Sequence, residues 1–115
     1  QVIGEGSNRP IAAADPTAHA EIQALRAAGL ATGNYRFPGA VLYVTLEPCM
    51  MCLGALVHAR VAEIVFAAED PKSGVLGSAS ELADGPWLNH RCASRGGLLA
   101  DEAAELLRAF FRARR

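Results

Sequence analysis

The chain has 115 residues, of which 51% are hydrophobic and 20% charged, and its formal net charge is −1. That length supports one domain around one modest core, the composition is that of a soluble globular protein, and the charge excludes a generally basic nucleic-acid binder, leaving only local patches such as Arg112-Ala113-Arg114-Arg115. No stretch approaches the roughly 18 apolar residues of a membrane span, no leader-like segment is seen, and three cysteines are a poor disulfide framework; the expectation is a cytoplasmic protein in a reducing compartment with no membrane contact.

Val2-Ile3-Gly4-Glu5-Gly6 reads as a short strand ending in turn residues from Ser7 to Pro10. Asp15-Pro16-Thr17 predicts a helix start, with Asp15 as cap and Pro16 in the first position. That helix is expected to reach about Ala28, with Ile22 and Leu25 as its buried stripe and Gly29 as its stop. Ala40 to Leu46 is a nearly continuous β-prone run, as expected of a strand covered on both faces. Pro48 opens a second helix that runs to about His58, and Val61 to Ala67 is the next strand. A loop from Asp70 to about Arg91 follows, then a short strand at Cys92 to Ser94. A final helix is expected from Asp101 to Arg115, with Ala103, Leu106, Leu107 and Phe110 on its apolar side. This alternation predicts one α/β domain over residues 1–115, layered on a mixed, mostly parallel sheet.

His19-Ala20-Glu21 and Pro48-Cys49-Met50-Met51-Cys52 carry the chemistry. One imidazole and two thiolates suit tetrahedral zinc, and three protein ligands leave a position for water, as in catalytic sites. Cys49 and Cys52 are three apart at a helix start and so share a face. If both helix N-termini point at the ion, their partial positive charge favours thiolates. Glu21 lies about 200° round an ideal helix from His19, so the two converge only if the helix begins at these residues and the ion lies beyond its end. A structural zinc site needs a fourth protein ligand. His58 is too far along its helix to turn back, whereas His90 and Cys92 stay open on spacing alone.

These residues resemble the zinc-dependent deaminases of cytidine-deaminase fold, whose signature is His-x-Glu followed by Pro-Cys-x-x-Cys. Asn8-Arg9-Pro10, Asp15 to Ile22, Leu42 to Cys49, Asn89-His90-Arg91 and Phe110-Phe111-Arg112 extend the resemblance, over essentially the whole chain, to the bacterial tRNA adenosine deaminases. The resemblance implies a three-layer α/β/α sandwich and one Zn2+ per chain, held by His19, Cys49 and Cys52 with water as the fourth ligand. It implies Glu21 as proton shuttle for hydrolytic conversion of adenosine to inosine at the wobble position of a tRNA anticodon loop. It further implies Asn8 at the flipped base or its ribose, Asp70, Lys72 and Asn89 along the substrate channel, and Phe111 and Arg112 on flanking nucleotides. The partners implied are a tRNA anticodon stem-loop and a second copy of the chain in a homodimer. On the residues alone, Asn8 also suits a turn, Asp70-Pro71 a loop start, Phe110 the core, Cys92 a small buried hydrophobe, and Met50, Met51 and Leu53 the core or a subunit interface.

The chain departs from the family in two places. The resemblance calls for a helix and a strand ahead of Val2, with that strand lying between Val2–Glu5 and Val41–Leu46. The chain therefore reads as truncated at its start, or as taking that strand from elsewhere, and is expected to expose the edges on either side. Ala12-Ala13-Ala14 and Glu69 lower positive charge beside the expected substrate path. Two other functions use the same residues: a deaminase of a free nucleobase or nucleoside, and a non-catalytic, zinc-stabilised RNA-binding subunit. Glu21 disfavours the second.

Overall fold

The computed structural model describes residues 1–97 and, for the backbone, 108–113. In chain order these form β1 (Val2–Ser7), α1 (Ala20–Thr32), β2 (Ala40–Leu46), α2 (Met50–His58), β3 (Glu63–Ala68), β4 (Ala93–Arg95) and β5 (Arg108–Ala113). The strands make one mixed sheet in the order β1-β5-β2-β3-β4. β5 runs antiparallel to both of its neighbours, whereas β2–β3 and β3–β4 are parallel.

Burial on β2 follows from its unbroken apolar sequence. Leu42 and Val44 point into the main core with Leu53, Leu56, Ile64 and Phe66. Val41 and Val65, on the opposite face, are also buried. Both faces of the β2–β3 pair are thus covered, as the sandwich expectation requires. Leu42, Leu56 and Ile64 are fully buried, and each such side chain contributes about 1.5–3 kcal/mol. Among the described residues, no helix is long and apolar enough to cross a membrane.

The final helix is not where the sequence placed it. Residues 108–113 form β5, and the remainder of that expected helix lies outside the described residues. The slot expected to stand open between β1 and β2 is filled by β5, so neither edge is bare. The physical reason is hydrogen-bond demand: two strand edges side by side present rows of unpaired donors and acceptors. An extended segment between them gains a ladder on each side, which outweighs the high helix propensity of Ala and Arg.

α1 also starts and ends later than expected. Asp15 does not cap it; its carboxylate accepts hydrogen bonds from the backbone N–H and the hydroxyl of Thr17 at 2.9 and 2.7 Å. That closes a local turn, and the first helical residue is Ala20. Gly29 stays inside the helix, and Gly33, at φ 70, ends it by donating to the Gly29 carbonyl. The buried stripe is Ala20, Ala24 and Ala28, not Ile22 and Leu25, which are half-buried. Residues four apart fall on one helix face, and this alanine face lies directly on β1. A Cβ at Gly4 would sit 2.6 Å from the Ala24 carbonyl oxygen, and one at Gly6 2.5 Å from the Ala20 carbonyl oxygen. Only glycine permits so close an approach.

Gly6→Ala should destabilise the chain by roughly 1–3 kcal/mol through overpacking against α1. Urea unfolding checks this, with Gly54→Ala as control, because a Cβ at Gly54 would meet nothing within 4 Å.

Candidate metal centre and active site

His19 and Cys49 each occupy the residue just before a helix. His19 is the N-cap of α1 and Cys49 the N-cap of α2, both with extended backbone. N-cap positions favour Ser, Thr, Asp and Asn because those side chains bond to the free N–H groups of the first turn. Neither His19 nor Cys49 makes such a bond. Their side chains turn towards each other instead, and Cys52 joins them from the first turn of α2. His19 Nδ1 lies 3.6 Å from Cys49 Sγ and 3.5 Å from Cys52 Sγ. All three donor atoms lie within 4.8 Å of one another.

These separations fit a tetrahedral ion. Bonds of ~2.05 Å to nitrogen and ~2.3 Å to sulfur at the tetrahedral angle place N and S about 3.6 Å apart. The site's electrostatics favour a cation if both thiols are to ionise. Burial pushes the Cys52 thiol up, and the neighbouring Glu21 and Cys49 add to the effect. Thiolates can gather here only with positive charge between them.

No fourth protein ligand joins the group among the described residues. His90 is engaged elsewhere, its Nε2 2.7 Å from the Val61 carbonyl. Cys92 is buried in the core, and burial pushes its thiol up to about 11. His58 is exposed at the far end of α2.

Glu21 is 7% exposed, so nearly all of its surface is withdrawn from water. Burial raises its pKa; a hydrogen bond from its own backbone, another with Cys52, and the charge of His19 oppose this more weakly. Because α1 begins at Ala20, the helical angle between His19 and Glu21 never applies, and both line one pocket of about 190 Å³. A water occupies about 30 Å³, so the space holds roughly six waters or a single heterocyclic base.

Three carboxylates line this pocket, and their surroundings separate them. Asp70 accepts from the backbone N–H groups of Lys72 and Ser73 and from the Ser73 hydroxyl; despite some desolvation these hold its pKa below the ordinary value. Glu47 is likewise held low, burial being outweighed by hydrogen bonds from Ser78, Leu76 and Asp70. Glu21 alone is raised, which suits a group that takes up and returns a proton.

Asn8 and Asp70 line the pocket as the sequence suggested. Lys72 and Asn89 are exposed and outside its lining. Phe111 and Arg112 lie on β5, not on a terminal helix, opposite Leu42 and Val41. The pocket is lined by Val44 to Glu47, at the other end of β2. Glu47, Thr45 and Ser73 escaped the sequence reading. An acidic residue directly ahead of Pro48-Cys49, at the end of an apolar strand, was the available signal for Glu47.

A family model described as MafB19-like deaminase matches residues 1–115. The chain belongs to this deaminase family. Among its relatives, a tRNA-specific adenosine deaminase of Haemophilus influenzae is 47% identical over 114 residues, covering 99% of this chain and 66% of its own length. A tRNA(Ile)-lysidine synthase of Deinococcus deserti is 48% identical over 111 residues, covering 96% of this chain but 21% of its own length. This deaminase-family domain thus spans just under two thirds of the first relative and about a fifth of the second. A solved structure from work on A-to-I editing by tRNA:A34 deaminases at the wobble position of transfer RNA superposes with a TM-score of 0.87. It is 43% identical and covers 91% of this chain and 76% of the other.

The turn that delivers His19 should be sensitive to acid. Hydrogen bonds from Thr17 and the Arg26 charge hold Asp15 below its usual 3.8. A carboxylate with a lowered folded-state pKa stabilises the fold above its unfolded pKa, and this is lost as pH falls through the folded value. Asp15→Asn should therefore lower the melting temperature at pH 7, and the gap from the parent should close below about pH 3.8. Thermal melts across pH 2–7 read this out.

Proposed function

We propose that this chain is a single zinc-dependent deaminase domain that hydrolyses the exocyclic amine of adenosine in a tRNA anticodon loop, at the wobble position, in the cytoplasm. One observation carries the reading: a buried carboxylate, Glu21, lines a base-sized pocket together with His19 and Cys49 of the His-Cys-Cys group. The tRNA assignment is supported by likeness to relatives and to a solved structure whose descriptions name tRNA adenosine deamination.

His19, Cys49 and Cys52 would hold the ion. When bound, it supplies a Lewis acid that acidifies a water at the open position. Glu21 takes one proton from the attacking water and passes it to ring nitrogen N1 as oxygen adds at C6; it then takes the remaining hydroxyl proton of the adduct and delivers it to the amine as the bond from C6 to the amine nitrogen breaks. Inosine and ammonia are the products. Burial suits Glu21 to this exchange because it narrows the gap between its pKa and neutral pH. Asn8 would orient the base or its ribose, and Asp70, with its side chain fixed by Ser73, would shape the wall. The target base must leave its stack, which costs least in a single-stranded loop. A homodimer fits this reading: Met50, 69% exposed, and Leu46, 42% exposed, flank Cys49 with apolar surface.

Zinc titration of the apo chain should reach one equivalent, and His19→Ala or Cys52→Ala should abolish it; a melting temperature that ignores zinc and chelator would count against the centre. Glu21→Gln should keep fold and zinc and lose on the order of 10²–10⁴ in deamination rate. Full activity in that variant overturns the mechanism. Ammonia release from an anticodon stem-loop, compared with free nucleosides and guanine, tests the substrate. Turnover of the free compounds alone would move the assignment to a nucleobase or nucleoside deaminase.

A further inference from the structure

Glu47 stands between the ligand arm and the pocket wall. It closes β2 at the point where the chain turns through Pro48 into Cys49, and it is 3% exposed. One carboxylate oxygen accepts the Asp70 N–H at 3.2 Å and the Ser78 hydroxyl. The other accepts the N–H groups of Leu76 and Ser78, at 2.8 and 3.2 Å. The same corner is stitched by backbone bonds, Val75 N–H to the Pro48 carbonyl at 3.1 Å and Glu47 N–H to the Ala68 carbonyl at 2.9 Å. Gly74 lies against the carboxylate so closely that a Cβ there would come within 3.0 Å of both Glu47 and the Asp70 carbonyl.

With four donors, Glu47 has no acceptor capacity to spare for a substrate proton, although it faces the pocket. Its partners all belong to residues 70–78, the segment that brings Asp70 and Ser73 to the pocket. A buried anion that gathers donors from one irregular segment organises that segment, because every donor it releases would be left without a partner.

We propose that Glu47 is a positioning residue: it fixes the 70–78 segment against the Pro48-Cys49 arm and so sets the substrate wall of the pocket relative to the metal ligands. The inference rests on the pocket being the deaminase site. Glu47→Gln replaces one acceptor oxygen with an NH2 that must face a donor. Gly74→Ala pushes the same segment off an intact carboxylate.

In amide hydrogen exchange, both variants should lose protection at Leu76 and Ser78 while α1 keeps its protection and zinc stays at one per chain. KM for an anticodon stem-loop should rise on the order of tenfold, with kcat changed much less, because the wall contributes to binding more than to the chemical step. Unchanged protection at Leu76 and Ser78 overturns the proposal. So does a loosened segment with unaltered KM, or loss of zinc with the segment still protected. Should Glu47→Gln unfold the whole chain, Ser78→Ala removes one donor and leaves the carboxylate in place, and unchanged exchange there overturns the proposal equally. If the parent chain fails to turn over the stem-loop, the tRNA reading falls, while the exchange data still decide whether Glu47 holds the segment.

Discussion

Two helices begin at one point, and the rest of the site depends on it. α1 starts after His19 and α2 after Cys49, and both N-caps leave their side chains unspent. Each helix end contributes partial positive charge and free N–H groups. Three donors and a buried carboxylate can therefore crowd together where, among the described residues, no lysine or arginine lines the pocket. Moving either helix start by one residue would swing a ligand by about 100° and dissolve the group.

The arrangement is held from behind by small residues. Gly4 and Gly6 let Ala20, Ala24 and Ala28 lie directly on β1, and His19 and Glu21 flank the first of those alanines. β2 leads into Glu47, Pro48 and Cys49 and so carries the other half. The slot between β1 and β2 is filled by β5, which pairs with both strands. The relative position of β1, on which α1 packs, and β2, which leads into Cys49, thus passes through a segment more than sixty residues further along the chain.

The pocket sorts its carboxylates by hydrogen bonding. Glu47 and Asp70 collect donors and are held as anions. Glu21 has lost water with less in return, and its proton affinity rises. The same functional group is held as an anion in two places and has its proton affinity raised in a third, and only the surroundings differ.

Much of this was legible in the residues alone. His-x-Glu and Pro-Cys-x-x-Cys marked the residues that the fold brings together, three N and S donors in one group and a carboxylate at the same pocket. The nearly continuous β-prone run at Ala40–Leu46 marks a central strand because such sequence has to be buried on both faces, and the strand expected at Val61–Ala67 is found at Glu63–Ala68. The structure decided what depends on partners distant in sequence. Asp15 closed a turn instead of capping a helix, which displaced the start of α1 onto His19. Residues 108–113 became a strand because two open edges outweigh local propensity. Glu47, one acidic residue in an apolar stretch, became the anchor of the 70–78 segment because all of its donors come from more than twenty residues away.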